Sequence, residues 1–389
     1  MNPRVIILCA SFLGVNYIAN ADNEPNDSTK HRNGLMRTID TVVKYFERAN
    51  QPHPEKVFDI SFIGGPEYSN ESGFGIGLVG SGLYYTHRDE NKMPSVDTPV
   101  SNVSLILQVT TGQLYKVGAE GRHIFKGNIC QIDYDGYFYS FKDKFWGIGY
   151  DKGVNNDNES SYRRLQAQIK AEFVFKLANG LYLGPYTKFN YINATQVDNV
   201  LLFDREDLRT FTTGLGMTFL YDTRDVPFNA YKGVCIRLNQ LFNPRFLANR
   251  YAFSETEFTS AVYFSAWKNC IIAGLFHTTL TYGNTPWGLL STFGDSQRMR
   301  GYYEGRYRDK CEADITVELR QHIWRRNGLV FWIGAGTVFP RLSDFNVHHI
   351  LPNIGIGYRW QFKPRVNVRL DFGIGKNTTG INFSINEAF

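Results

Sequence analysis

The densest group of side chains able to make specific contacts is Gly294-Asp295-Ser296-Gln297-Arg298-Met299-Arg300-Gly301-Tyr302-Tyr303-Glu304-Gly305-Arg306-Tyr307-Arg308-Asp309-Lys310. A solvated loop uses Ser, Asn and Lys. This one is rich in Arg and Tyr. Arg presents a planar fork of donors that matches a carboxylate, so the stretch is suited to fixed ion pairs. Nothing around it resembles a catalytic centre. The chain has no GxSxG elbow, no HExxH and no phosphate-binding Gly loop. His348-His349 are adjacent in a loop and make a poor metal site, and Asp133-Tyr134-Asp135 lacks the further ligands of a calcium loop. The reading is therefore of a non-enzyme with no metal and no cofactor. Beyond Cys9, Cys130, Cys235, Cys270 and Cys311 are far apart with no CxxC. They read as free thiols.

The elements around this stretch are strands. Aromatics make up 15% of the 389 residues, with 36 Gly, yet mean hydropathy is negative. Alternation of apolar and polar residues explains both. Ile354, Ile356, Tyr358, Trp360 and Phe362 take one face of 353–362. Val366, Val368, Leu370, Phe372 and Ile374 oppose Asn367, Arg369, Asp371, Gly373 and Gly375 in the next segment. About sixteen such segments run from residue 56 to 389, many long enough to cross a bilayer when tilted. A two-sheet sandwich would bury the apolar face against a second sheet. A membrane barrel turns it to lipid and keeps charges such as Arg369 and Asp371 in a wet lumen. The connections decide for the barrel. Tight turns at 178–180, 267–269, 325–328 and 363–365 alternate with long polar segments at 142–160, 196–208, 284–308 and 341–349. The segment 87–98 is longer than this scheme expects of a short-turn side.

The fold predicted is thus all-β: a transmembrane antiparallel β-barrel of about sixteen strands with a short N-terminal helix. Arg4, an apolar core over 5–15 and Ala19-Asn20-Ala21 mark 1–21 as a signal peptide. Residues 22–55 form a periplasmic segment in which Leu35, Ile39, Val42 and Phe46 give an amphipathic helix over 35–48. Residues 56–389 are the barrel, with strand 380–389 closing on strand 56–65 near Ser61. The net charge of +5 is scattered, which argues against nucleic acid.

Met299-Arg300-Gly301-Tyr302 resembles the loop motif of the Omp85 superfamily, the outer-membrane barrels that insert or translocate other proteins. Glu318-Leu319-Arg320 in the next strand is similar to the family's pattern. Asp222-Thr223-Arg224-Asp225-Val226-Pro227-Phe228-Asn229-Ala230-Tyr231-Lys232-Gly233 resembles its periplasmic turn after the eighth strand. The closing strands ending in Phe389 resemble its C-terminal insertion signal. The resemblance covers the whole barrel, of BamA/TamA or surface-antigen D15 type. It implies a bacterial outer-membrane location and a role in insertion, assembly or translocation. It also implies outer-membrane lipids, barrel-assembly machinery or accessory periplasmic subunits as partners. A passive pore or a structural subunit is the other reading. About 35 residues separate the cleavage site from the first strand, too few for a POTRA domain, so the chain resembles the short members that lack it.

The family's aromatic-x-Asp-x-Gly motif reads Trp332-Ile333-Gly334-Ala335-Gly336, with Gly in place of Asp. Arg300 then needs another carboxylate. In the strand after the loop, Ala313, Ile315, Val317 and Leu319 form the apolar face. Glu312, Asp314 and Glu318 therefore line the lumen as its partners, with Glu318 first. Tyr302 is expected to pack beside the pair. Gly301 is expected to let the backbone approach the wall.

Overall fold

The computed structural model describes residues 57–87, 98–203, 207–227, 229–363 and 365–389. The leader, the segment 22–55 with its helix, and most of 87–98 lie outside the described residues. Among those described, sixteen strands close into an antiparallel barrel. They are β1 (Phe58–Ser69), β2 (Gly73–Tyr84), β3 (Ser101–Thr110), β4 (Tyr115–Ile124), β5 (Cys130–Phe145), β6 (Ser160–Ala178), β7 (Leu181–Thr195) and β8 (Arg209–Asp222). They continue with β9 (Gly233–Asn243), β10 (Phe253–Trp267), β11 (Cys270–Gly283), β14 (Cys311–Trp324), β15 (Asn327–Phe339), β16 (Leu351–Lys363), β17 (Val366–Gly375) and β18 (Thr378–Ile385). Two short strands, β12 (Ser291–Phe293) and β13 (Tyr307–Asp309), pair within the long loop between β11 and β14.

Alternation dictates which side chains face in. On β14, Glu312, Asp314, Thr316, Glu318 and Arg320 are buried while Ile315 and Val317 are exposed on the outer wall. On β16 and β17, Ile354, Ile356, Phe372 and Ile374 are exposed, and Arg359, Arg369 and Asp371 are buried. The barrel is thus inverted relative to a soluble protein, with apolar side chains outside and charges within, as lipid on one side and a polar lumen on the other require. The expected short turns all fall at one end of the barrel. The loop end is mixed: the β1–β2 and β17–β18 connections are as tight as any turn. Cys130, Cys235, Cys270 and Cys311 are free.

The closure differs from expectation in place and extent. β1 pairs with β2 along its whole length, from Phe58↔Tyr84 to Ser69↔Gly73. With β18 it is in register at Tyr68↔Phe383, beyond the 56–65 segment. Pro66, next along, has no N–H to offer a ladder. The Asn70 side chain adds two bonds to β18, to the Thr379 carbonyl at 2.5 Å and from the Ile381 N–H at 3.3 Å.

The last strand was expected to run from 380 to 389. Instead β18 ends at Ile385, and Asn386, at φ +72°, reverses the chain. The cause is charge. Glu387 cannot face lipid, and its carboxylate takes the Arg359 Nε at 2.8 Å and the Asn367 amide at 2.5 Å inside the lumen. Phe389 follows it in. Its ring lies 5.0 Å from the Arg320 guanidinium and packs against a cluster that includes Leu220, Ala230, Tyr263 and Leu275. Its carbonyl accepts from Arg320 Nη2 at 2.8 Å.

Candidate functional site: a loop locked to the lumen wall

The loop 284–310 is built, not irregular. β12 and β13 form its stem. At its bend, the Asp295 carboxylate accepts from the N–H groups of Gln297 and Arg298 at 2.6 Å, an Asx turn. Met299, with φ +47°, and Gly301, with φ +108°, then place three successive side chains in different directions.

Arg300 is wholly buried. Its Nη2 donates to Glu318 Oε1, and its Nη1 donates to Asp371 Oδ2 at 2.9 Å. Its guanidinium lies 3.7 Å from the centre of the Trp332 ring, a stacked cation–π arrangement. The carboxylates are shared. Glu318 also accepts from Arg320 Nε at 2.8 Å. Asp371 also accepts from Arg359 at 2.5 Å and Arg369 at 3.4 Å. Four guanidinium groups therefore surround Glu318, Asp371 and Glu387. Because of this sharing, Glu318 would keep Arg320, and Asp371 would keep Arg359 and Arg369, if Arg300 were removed. Arg369 Nη2 ties the cluster back to the loop through the Ser296 carbonyl at 3.0 Å.

Glu312 and Asp314 do not reach Arg300. They hold Arg298, whose Nη1 lies 2.8 Å from Asp314 and 3.6 Å from Glu312. The reason is strand geometry: Asp314 is four residues from Glu318, about 13 Å along the strand. Each loop arginine takes the carboxylate at its own height. Met299 fills the space left by the missing side chain of Gly334, where an added Cβ would meet its sulfur at 3.1 Å.

Tyr302 does not pack on the ion pair. It belongs to an aromatic group with Phe293 and Tyr307. Its hydroxyl donates to the Pro352 carbonyl at 2.6 Å and accepts from the Lys376 N–H at 2.7 Å. Gly301 lies directly on the wall, where a Cβ would stand 2.7 Å from the Gly373 carbonyl oxygen. Its own carbonyl accepts from Thr378 Oγ1 at 2.8 Å.

Asp371, Trp332, Asn353 and the row Gly373, Gly375 and Gly380 were not assigned to the site from sequence. Asn353 bonds the Arg300 carbonyl at 2.7 Å and accepts from Trp332 Nε1 at 2.7 Å. The signal was present: alternation puts Asp371, Gly373 and Gly375 on one inward face, and glycines on such a face mark close backbone approach.

The turn 222–233 has its own order. Asp222 accepts from Arg224 three times, at its N–H, Nε and Nη2. Arg224 Nη1 reaches the Pro227 carbonyl at 2.8 Å. Asp225 accepts from the Tyr231 N–H at 2.9 Å and from Arg365 Nη2 at 2.8 Å. Burial raises the Asp225 carboxyl, but these donors outweigh it and hold it below the usual range. Gly233 takes φ +112° at the re-entry, with no room for a Cβ beside the Thr223 carbonyl. Arg365, in the turn between β16 and β17, lies 3.4 Å over the Tyr231 ring and exchanges two 3.0 Å bonds with Asn229. The two turns are not neighbours around the wall, so this contact crosses the mouth.

Similarity to known proteins agrees with this geometry. A family model described as the Omp85 superfamily domain matches residues 130–389. No curated protein matches the sequence. Among solved structures, BamA from Haemophilus ducreyi lacking POTRA domains 1-3 is similar at 12% identity and TM-score 0.56, over 85% of this chain and 70% of that one. CdiB from Escherichia coli is similar at 8% identity and TM-score 0.56, over 93% and 72%. CdiB from Acinetobacter baumannii is similar at 10% identity and TM-score 0.52, over 85% and 60%. At these identities the likeness to the solved structures is one of fold. With the family model spanning most of the barrel, the chain belongs to the Omp85 superfamily and is a bacterial outer-membrane protein.

Proposed function

We propose that this barrel assists the insertion, assembly or translocation of outer-membrane components, without covalent catalysis. One observation carries the reading: β1 is paired with β2 throughout but meets β18 in register at Tyr68↔Phe383. Strand edges with unmade backbone bonds are templates for an incoming strand. Opening this seam costs less than opening any fully laddered pair. The docked loop bears on Gly373 of β17 and Gly380 of β18, so its position is coupled to the strands that would move. Clients would be captured by barrel-assembly machinery, by accessory periplasmic subunits or by segment 22–55, while outer-membrane lipids contact the apolar outer wall. The loop occupying the lumen disfavours a wide passive pore. The test is purified protein in liposomes challenged with an unfolded outer-membrane barrel. Faster insertion than in empty liposomes is expected. A large, steady, ohmic conductance in planar bilayers with no acceleration of insertion would overturn the reading.

A further inference from the structure

Between the loop and the inner wall of β1, β3, β4 and β5 lies a chamber of about 430 Å³, the size of a small-molecule site. Arg308, from β13, lines it. This side chain is 1% exposed and lies beside the packed ring pair of Phe145 and Trp287, 5.4 and 5.5 Å from their centres. Its Nε and Nη1 have no acceptor among the described residues. The other buried arginines described, Arg300, Arg320, Arg359 and Arg369, each hold a carboxylate. A buried guanidinium with free donors is costly unless something completes it. Arg164, beside it, is already committed to Gln166 and the Gly288 carbonyl. The Asp143 carboxylate is taken by the hydroxyls of Tyr162 and Tyr303.

The same chamber carries the opposite charge. Glu304 and Glu71 border it, and neither forms an ion pair with Lys or Arg among the described residues. The Glu304 side chain is exposed to the water of the chamber; enclosure by the surrounding wall, with Asp295 and Glu71 nearby, pushes its carboxyl up to about 7. A cationic group placed beside it would reverse that cost.

We propose that the chamber binds a small zwitterion, its oxyanion on Arg308 and its ammonium on Glu304 and Glu71. A simple anion would meet the carboxylates, and a simple cation would meet Arg308. Lys116 also lines the chamber and adds to its cationic side, and a ligand with both charges satisfies both sets.

The test is calorimetric titration of the full chain in detergent with phosphoethanolamine and β-alanine, with inorganic phosphate and ethanolamine as single-charge controls. At least one zwitterion should bind about tenfold or more tighter than either control, the loss of one charge-assisted contact being worth about that factor. Arg308→Leu should abolish binding while keeping or raising Tm, since it removes an unpaired buried cation. Glu304→Gln should lower zwitterion affinity to the level of phosphate. The proposal falls if the wild type binds no zwitterion, if Arg308→Leu binds as well as wild type, or if phosphate alone binds equally. The assay uses no client, so its outcome is separate from that of the insertion experiment.

Discussion

The Cα of Gly373 lies against the carbonyl of Arg300, so that a Cβ there would overlap the loop backbone. This contact between strand β17 and the loop leaves no space for any side chain. Gly373→Ala should push the loop off the wall at a cost of about 1–3 kcal/mol. Protease cleavage within 294–310 is expected to rise several-fold while the barrel keeps its heat-modifiable mobility on gels. Wild-type cleavage would show that the wall yields instead.

Arg300→Ala leaves Glu318 and Asp371 with fewer cations in a dry site. It should destabilise the barrel by about 1.5–3 kcal/mol in denaturant titrations, the worth of a hydrogen bond to a charged group whose partners stay paired, and Arg300→Lys should recover only part because it loses the fork and the Trp332 stack. The charge swap Arg300→Glu with Glu318→Arg should not rescue, since the new arginine would face Arg320. Full rescue would mean the Glu318 pair acts alone.

Cysteines at Tyr68 and Phe383 should cross-link readily, as directly opposed antiparallel residues lie about 4.5–5.5 Å apart. Locking this pair should abolish client insertion, with reductant restoring it. A locked barrel of undiminished activity would remove the seam from the mechanism.

Arg365→Ala breaks the contact between the β8–β9 and β16–β17 turns. A loss of about 1–2 kcal/mol is expected from the cation–π and ion-pair contributions. The Asp225 carboxyl is depressed, so its contribution is full above the ordinary carboxylate range and fades as pH falls through the depressed folded-state value. Hydrogen-exchange protection factors of the 223–226 and 229–232 amides should therefore be similar at pH 5 and pH 7 in the wild type, and low at both in Arg365→Ala.

Glu304 behaves oppositely. Its folded-state value is raised to about 7, so the protonated form favours the folded loop. Its contribution is present at low pH and lost as pH rises through about 7. Loop protection from protease should be greater at pH 5.5 than at pH 8, and Glu304→Gln should flatten the difference. A pH-independent wild type would contradict this.

The barrel was legible because its signal is local. Period-2 alternation sorts each strand's faces without knowledge of its neighbours, and Ile315, Val317, Glu318 and Arg369 all lie where that rule puts them. The site was legible only as far as the same rule reaches. Glu318 is on the strand that follows the loop and could be proposed from spacing. Asp371 is equally inward, but its pairing with Arg300 depends on the loop crossing to β17, which no local pattern encodes. The inward turn at Asn386 was missed for a related reason. Glu387 falls within the segment read as strand 380–389, and the partners that draw it inside, Arg359 and Asn367, come from β16 and β17. The stem β12–β13 was read as plain loop because strands of three residues are too short to show a period.

The contact of Arg365 with Asp225, Asn229 and Tyr231 acts as a chord across a ring. It divides the short-turn rim into two arcs, one spanning β9 to β16 and one that contains the β1–β18 seam. The first arc is triangulated and cannot change its span without breaking the chord. Any parting at the seam must then be taken up by bending of β17, β18 and β1 to β8, the part of the wall that also encloses the chamber beside Arg308. Cutting the chord would spread the same deformation around the whole circumference and soften the barrel as a unit.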